Sequence, residues 1–141
     1  MNVSKSIDFH IGLPGTLDEC NAVAALLRFL NFKVVKLPEQ WKDSGLQWFQ
    51  KDGLQIQLIP KSFARMDSHS RTLQNAMVTF PHVAFVVDKF PSPKKIKSMG
   101  LYIIEGPLTR PDGLQQLYLM GHSRKYFIEL NTRISDLSVK K

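Results

Sequence analysis

The chain has 141 residues, of which 43% are hydrophobic and 22% charged, and its formal net charge is +7. This composition predicts a single globular domain over residues 1–141, and the lack of any apolar run of about 18 residues argues against a membrane span. The basic residues are dispersed and form no nucleic-acid-binding motif, which argues against nucleic acid as a partner. The charge is then explained by solubility or, as a functional interpretation, by attraction of an anionic small substrate.

The first ten residues lack the apolar core of a signal peptide, and Cys20 is the only cysteine. A cytoplasmic protein without a disulfide is therefore expected. Cys20 falls on the apolar side of a predicted helix, which favours a buried, inert thiol over a nucleophile.

Residues 5–60 predict a first module with the order strand, helix and three strands. His10 lies in a strand whose apolar residues share the opposite face. Thr16 and Glu19 have the spacing of a helix-capping box. The predicted elements are a strand at 7–13, a helix at 17–31, a strand at 32–37 and a hairpin of strands 46–50 and 54–59.

Residues 61–80 are polar and weakly patterned, and they predict a connection between modules with a short helix around residues 73–77. The segment is longer than a typical loop, which allows it to lie over a site.

Residues 81–132 predict a second module with the same element order. The segment Pro81–Asp88 reads as an otherwise buried strand with His82 on its less apolar face. A short helix follows Ser92 and ends at Gly100, and the tail after Asn131 is expected to be peripheral. The other predicted elements are strands at 101–105, 114–120 and 126–130 and a loop at 107–113.

The same spacing relates two pairs of polar residues. His82 follows His10 by 72 residues, and Glu129 follows Gln57 by the same number. Each of the four is flanked by apolar residues that point to the other face of its strand. A duplicated unit with a polar site on a shared inner face is predicted.

With these residues at corresponding positions, the chain resembles the vicinal oxygen chelate superfamily, which includes glyoxalase I, bleomycin-resistance proteins, fosfomycin-resistance enzymes and extradiol dioxygenases. Segments 81–88 and 126–130 resemble the segments that carry metal ligands in many glyoxalases, and the resemblance covers about residues 5–132. It implies an α+β fold in which two βαβββ modules form a cupped, barrel-like mixed sheet with helices outside. It also implies a homodimer, whose modules pair within one chain or between chains.

The resemblance further implies one divalent metal ion per cup, with nickel, zinc, iron or manganese as candidates. His10, His82 and Glu129 would be ligands, a combination that leaves metal positions open for substrate or water. Gln57 would be the fourth ligand, where glyoxalases more commonly have an acidic residue, and its neutral amide would hold the ion less tightly. A single histidine on a half-buried strand is more often a hydrogen-bonded core residue, but the repeated spacing favours ligands here.

The function that the resemblance implies is a glyoxalase-I-like (lactoylglutathione lyase-like) lyase or isomerase. Its metal would bind two oxygens of a small substrate, and Glu129 would be the catalytic base that moves the proton. The candidates for holding a substrate anion are Arg65, Arg71, Arg110 and Lys125.

Three alternatives stay open at this stage. A non-haem iron extradiol dioxygenase would use the two histidines and Glu129, with Gln57 outside the ligand set. A fosfomycin-type transferase would use a similar set. A metal-free protein of the bleomycin-resistance kind would bind its ligand in an aromatic-lined cup. The candidate acids or bases for the dioxygenase are His69, His122 and Tyr126, and the candidate cup aromatics, which are as a class more often core residues, are Trp48, Phe49, Tyr126 and Phe127.

Overall fold

The computed structural model of the chain describes residues 9–63, 70–110 and 113–133. None of the helices in these ranges combines the length and apolar character that a membrane-spanning helix needs. The elements are β1 (His10–Gly15), α1 (Leu17–Phe29), β2 (Lys33–Val34), a 3₁₀ helix (Glu39–Trp41), β3 (Gln47–Lys51), β4 (Leu54–Pro60), α2 (Arg71–Thr79), β5 (His82–Val86), α3 (Pro93–Ser98), β6 (Leu101–Thr109), β7 (Leu114–Gly121) and β8 (Phe127–Arg133).

The eight strands form one open mixed sheet in the order β2-β3-β4-β1-β5-β8-β7-β6. Strands β1 and β4 are parallel, as are β5 and β8, while β1 and β5 pair antiparallel at the centre. Each half therefore has the order strand, helix, three strands, and the two halves meet through their first strands. The predicted α+β fold of two βαβββ modules is confirmed.

The 72-residue offset is also present in the strand register. Gly12 pairs with Gln57 in the first module, and Ala84 pairs with Glu129 in the second. Both members of the second pair follow those of the first by 72 residues. The two parallel strand pairs are thus built alike, and equivalent positions carry side chains to the same face of the sheet.

Helix α1 covers the outer face of the first module. It begins at the predicted capping box, in which Thr16 N donates to Glu19 Oε1 at 2.7 Å and Glu19 N donates to Thr16 Oγ1 at 3.1 Å. The helix packs against the sheet through an apolar cluster that contains the buried Cys20, as predicted. Burial raises the pKa of the Cys20 thiol, which disfavours the reactive thiolate.

Helix α3 covers the outer face of the second module in the corresponding place. Ser92 caps it by accepting from Lys95 N at 3.1 Å, and Pro93 occupies its first turn, where no backbone N–H is needed. Its buried Ile96 packs with residues of β7 and β8, among them Leu117 and Leu130. Both modules thus keep one helix on the outer face, and this leaves their inner faces to other elements.

The connection between the modules folds as α2 and lies on the inner face, whereas the resemblance implied helices outside. Leu73, Ala76 and Met77 of α2 are buried against inner-face residues of the second module, including Tyr118 and Phe127. Its N-terminus is held by Ser70, whose N–H donates to the Glu105 carboxylate at 2.8 Å. The apolar residues at positions 73, 76 and 77 make one face of a helix, and the open inner face gives that face a place to be buried.

Two predicted boundaries in the edge strands are wrong. The strand expected at 32–37 is only Lys33–Val34, because β2 pairs with a single neighbour and Pro38 begins the turn into the 3₁₀ helix. The loop expected at 107–113 starts later than predicted, because β6 continues to Thr109, with register shifts on either side of Glu105. Proline is tolerated in an edge strand because one of its sides has no neighbour to bond.

The outer face of β5 is partly exposed, whereas the sequence predicted an otherwise buried strand. Val83 and Phe85 are 38% and 39% exposed, and Phe85 has an edge contact with the exposed Phe9 at 6.0 Å. The strand therefore buries only its inner face within one chain. The homodimer and the cytoplasmic location stay predictions. The tail expected to be peripheral after Asn131 instead begins as the end of β8, in which Thr132 is buried, and its residues 134–141 lie outside the described residues.

Candidate functional site

The strand pairing arranges inner-face side chains in two parallel rows across the centre of the sheet. Residues paired across strands point to the same face, so each row is read directly from the register. One row consists of Gln55, His10, Ala84, Glu129 and Tyr118. The other row consists of Gln57, Gly12, His82, Phe127 and Met120.

Three titratable side chains from these rows converge above the central strands. His10 Nε2 and His82 Nε2 lie 3.1 Å apart. Glu129 Oε1 lies 3.7 Å from the first of these nitrogens and 3.6 Å from the second. All three residues are buried, with exposed fractions of 4%, 1% and 4%. Three of the four predicted ligands thus meet at one point, and each module contributes to it.

The separations fit a shared metal ion. Ligand atoms about 2.0–2.2 Å from one tetrahedral or octahedral ion lie roughly 2.8–3.6 Å from one another. The three observed separations of 3.1, 3.6 and 3.7 Å fall at or next to that range. Within the described ranges, His10, His82 and Glu129 form the one group of His, Cys, Asp or Glu side chains with such spacing. The described residues can therefore hold a metal ion here.

Buried amides orient the carboxylate. Gln116 Nε2 donates to Glu129 Oε2 at 3.1 Å and to Asn131 Oδ1 at 3.2 Å. Burial raises the pKa of Glu129, but the neighbouring His10 and His82 rings lower it by more. The net effect holds the pKa of Glu129 well below its ordinary value, which favours the ionised carboxylate. Its Oε1 is the oxygen turned toward the histidines.

Packing orients the two imidazoles. The His82 ring stacks on Phe127 with centroids 4.6 Å apart and an interplanar angle of 22°. The His10 ring has an edge contact with Trp48 at 6.5 Å, and no described residue bonds its Nδ1. Ala84 is fully buried and lies between His10 and Glu129 in its row. Its small side chain leaves room above the sheet for the two imidazole rings.

A narrow cavity of about 40 Å³ opens beside this cluster. Met77 of α2 closes one side of it. The volume suits a few water molecules, and a typical ligand pocket is several times larger. Its lining residues are His10, Trp41, Leu46, Trp48, Gln57, Ile59, Phe63, Met77, Arg110, Gln116 and Glu129.

The other predicted site residues have different fates. Gln57 lines the cavity, and so does Arg110, the one Lys or Arg side chain among the described lining residues. Arg71 is exposed on α2, and Lys125 is exposed before β8. Arg65 lies outside the described residues.

The residues proposed as a dioxygenase acid or base lie elsewhere. His122 packs beside Tyr102 with ring centroids 5.5 Å apart, in a separate groove next to α3. Tyr126 is 50% exposed, and His69 falls outside the described residues. Of the predicted cup aromatics, Trp48 and Phe127 reach the site, whereas Phe49 packs beneath α1 in the outer-face cluster.

Sequence reasoning missed Gln116, Asn131 and Met77. Asn131 follows Glu129 by two residues, so the alternation of strand faces places both on one side and was a usable signal. Gln116 reaches the carboxylate because it pairs with Asn131 across β7 and β8, and that register is not evident from the sequence. The place of Met77 at the cavity depends on which face of the sheet α2 covers, and the sequence does not indicate that face.

Two modules side by side in one mixed sheet, with polar residues of both converging on the inner face, match the arrangement that the sequence resemblance implied. The observed fold is therefore the arrangement that the resemblance implied, two βαβββ modules in one mixed sheet. No family model matches the chain, and no curated protein sequence matches it.

Solved structures are similar to this chain only at a distance. The hypothetical protein BH1468 from Bacillus halodurans C-125 is 17% identical with a TM-score of 0.49, and the match covers 90% of this chain and 93% of that one. A methylmalonyl-CoA epimerase from Streptomyces coelicolor is 18% identical with a TM-score of 0.48, covering 91% and 94%. Its counterpart from Mycobacterium tuberculosis is 17% identical with a TM-score of 0.47, covering 94% and 89%. At these values they carry neither a ligand nor a reaction over to this chain.

The lowered pKa of Glu129 predicts that the metal-free protein loses stability in acid. The folded chain binds this proton at lower pH than the unfolded chain, so the stabilising effect is complete above the ordinary value of 4.5 and is lost as the pH falls. Glu129→Gln removes the titrating group. The difference in free energy of unfolding between wild type and variant should therefore shrink from about pH 6 to about pH 3, as measured by urea unfolding with a chelator present.

The matched control is Glu39→Gln. Glu39 forms an exposed ion pair with Lys42 at 2.7 Å, and such pairs contribute little to stability. Its pH profile should run parallel to that of wild type. A parallel profile for Glu129→Gln would contradict the prediction.

Proposed function

We propose that the chain is a metal-dependent, glyoxalase-like lyase or isomerase that moves a proton on a small, anionic substrate with two adjacent oxygen atoms. The observation that carries the proposal is the convergence of His10, His82 and Glu129, all buried, with donor atoms 3.1–3.7 Å apart. Two imidazoles and one carboxylate suit nickel, zinc, iron or manganese and leave positions open for substrate oxygens.

The metal, when bound, would polarise the substrate's oxygens and so acidify the adjacent C–H bond. Glu129 is ionised and would accept the released proton on its carboxylate. Gln116 Nε2 donates to Oε2, which leaves Oε1 directed at His10 and His82. Glu129 would therefore combine the roles of ligand and base.

Arg110 is our choice for the residue that holds the substrate's negative charge. It lines the same cavity as His10 and Glu129, whereas Arg71 and Lys125 are exposed on other parts of the surface. The cavity of about 40 Å³ favours a compact reacting group, and Met77 limits how far a substrate can extend toward α2. Gln57, which lines the same cavity, would add a neutral oxygen ligand.

An extradiol-type iron dioxygenase is the second candidate. The observation in its favour is the donor set itself, because two histidines and one carboxylate are the ligand set of non-haem iron oxygenases. Against it, neither His122 nor Tyr126 lies at the site to serve as acid or base. Oxygen uptake by the iron-loaded protein with a catechol would favour this candidate.

The first test is the metal content of protein purified without added metal. We expect about one divalent ion per chain in wild type, and an affinity at least about tenfold weaker in His82→Ala, because an open site with three strong ligands loses one of them. Gln57→Ala should weaken binding less, since a neutral amide oxygen adds little charge. Elemental analysis and competition with a chelator measure both quantities.

His122→Ala is the matched control, since His122 lies in a separate groove beside Tyr102. It should retain the metal like wild type. Equal metal content and affinity in wild type and His82→Ala would refute the site. Wild type that binds no metal at all would support a metal-free ligand-binding protein instead.

The second test separates the two roles of Glu129. Glu129→Gln keeps an oxygen for the metal but cannot accept a proton, so turnover should fall by about 10²- to 10⁴-fold. Metal retention should fall by much less. The assay uses metal-loaded protein with adducts of 2-oxoaldehydes and thiols, beginning with methylglyoxal and glutathione, and Glu39→Gln serves as the control.

If Glu129→Gln lost metal and turnover to the same extent, Glu129 would be a metal ligand and not the catalytic base. Metal-loaded wild type that is inactive on the whole panel, yet cleaves a catechol with oxygen uptake, would replace the lyase with the dioxygenase.

A further inference from the structure

Gly12 occupies the middle of β1, at the centre of the sheet. Glycine is less favourable than alanine in a strand interior, because it has no side chain to pack and more backbone freedom to lose. Unlike five other glycines of the described residues, Gly12 has no positive φ. The backbone conformation therefore does not require glycine at this position.

The His82 ring fills the space where a side chain at position 12 would be. A Cβ built on Gly12 would lie 2.8 Å from His82 Nε2 and still closer to Cε1 and Nδ1. A Cβ atom essentially never lies within 3.0 Å of a non-bonded heavy atom, so an added methyl group would displace the ring.

The ring cannot move aside freely. Gly12, His82 and Phe127 are register partners on adjacent strands β1, β5 and β8, so Phe127 stands on the side of His82 opposite Gly12. Phe127 has 0% exposure and stacks on the imidazole at 4.6 Å. The ring is thus held between an aromatic face and a bare stretch of backbone.

We infer that Gly12 is a positioning residue for the metal site: its missing side chain lets the His82 ring lean across β1 and bring Nε2 to 3.1 Å from His10 Nε2. That a metal ion binds here rests on the proposed function. That Gly12 sets the position of the His82 ring rests on the packing alone. Gly12 itself touches neither metal nor substrate in this account.

The first experiment is a titration with Co²⁺ followed by its visible absorption spectrum. In Gly12→Ala all three ligands remain, but His82 is displaced, so the affinity should fall by about 10- to 100-fold, as for residues that orient ligands. The spectrum of the loaded protein should change as well, because the ligand geometry differs.

Gly121→Ala is the matched control. A Cβ at Gly121 would meet only the Leu101 side chain at 3.9 Å, and its φ is also not positive. This variant should bind Co²⁺ with the affinity and spectrum of wild type. Gly12→Ala that does the same would overturn the inference.

A double-mutant cycle tests the packing without any metal. Gly12→Ala should lower the midpoint of urea unfolding in the wild-type background. In the His82→Ala background the obstructing ring is gone, so the same change should be neutral or stabilising. Equal effects in both backgrounds would contradict the inference, whereas wild type that fails to bind Co²⁺ would refute the proposed function and leave the cycle to decide the role of Gly12.

Discussion

The antiparallel pairing of β1 with β5 is the constraint on which the site depends. This pairing sets His10 opposite Ala84 and His82 opposite Gly12. Each histidine therefore faces a residue with little or no side chain, and the two rings meet above the sheet. A shift of one residue would turn one strand's histidine to the outer face.

The second constraint is the cost of burying a carboxylate. Glu129 is 4% exposed, and a buried charge is stable only with charged or hydrogen-bonding partners. Gln116 binds one oxygen, and the histidines lie close to the other. A divalent ion bound by the two histidines and Glu129 would balance the negative charge of the carboxylate more fully than the two imidazoles do. Helix α2 completes the enclosure by covering the inner face and limiting solvent access.

The sequence predicted the element order and the residues that converge, because their signals are read along the chain without knowledge of strand pairing. Alternation along single strands and an offset of 72 residues suffice to place His10, His82 and Glu129 on one face. The side of the sheet that α2 covers depends on pairing between distant strands. The roles of Gly12 and Gln116 also depend on cross-strand register, to which the chain gives no local signal.

The edge strands were the least predictable part of the fold for a related reason. β2 and β6 each have one strand neighbour, so weak pairing or a proline changes their length. Gln57 lines the same cavity as His10 and Glu129, because the parallel pairing of β1 and β4 sets it opposite Gly12.

X-ray absorption at the metal edge of the loaded protein decides whether His10, His82 and Glu129 bind the ion, because it reports the atoms around the metal. We expect scattering from two imidazoles together with oxygen ligands at about 2.0–2.2 Å, and one imidazole fewer in His10→Ala. A spectrum without imidazole scattering, or one that is unchanged when both His10 and His82 are replaced by alanine, would contradict this expectation.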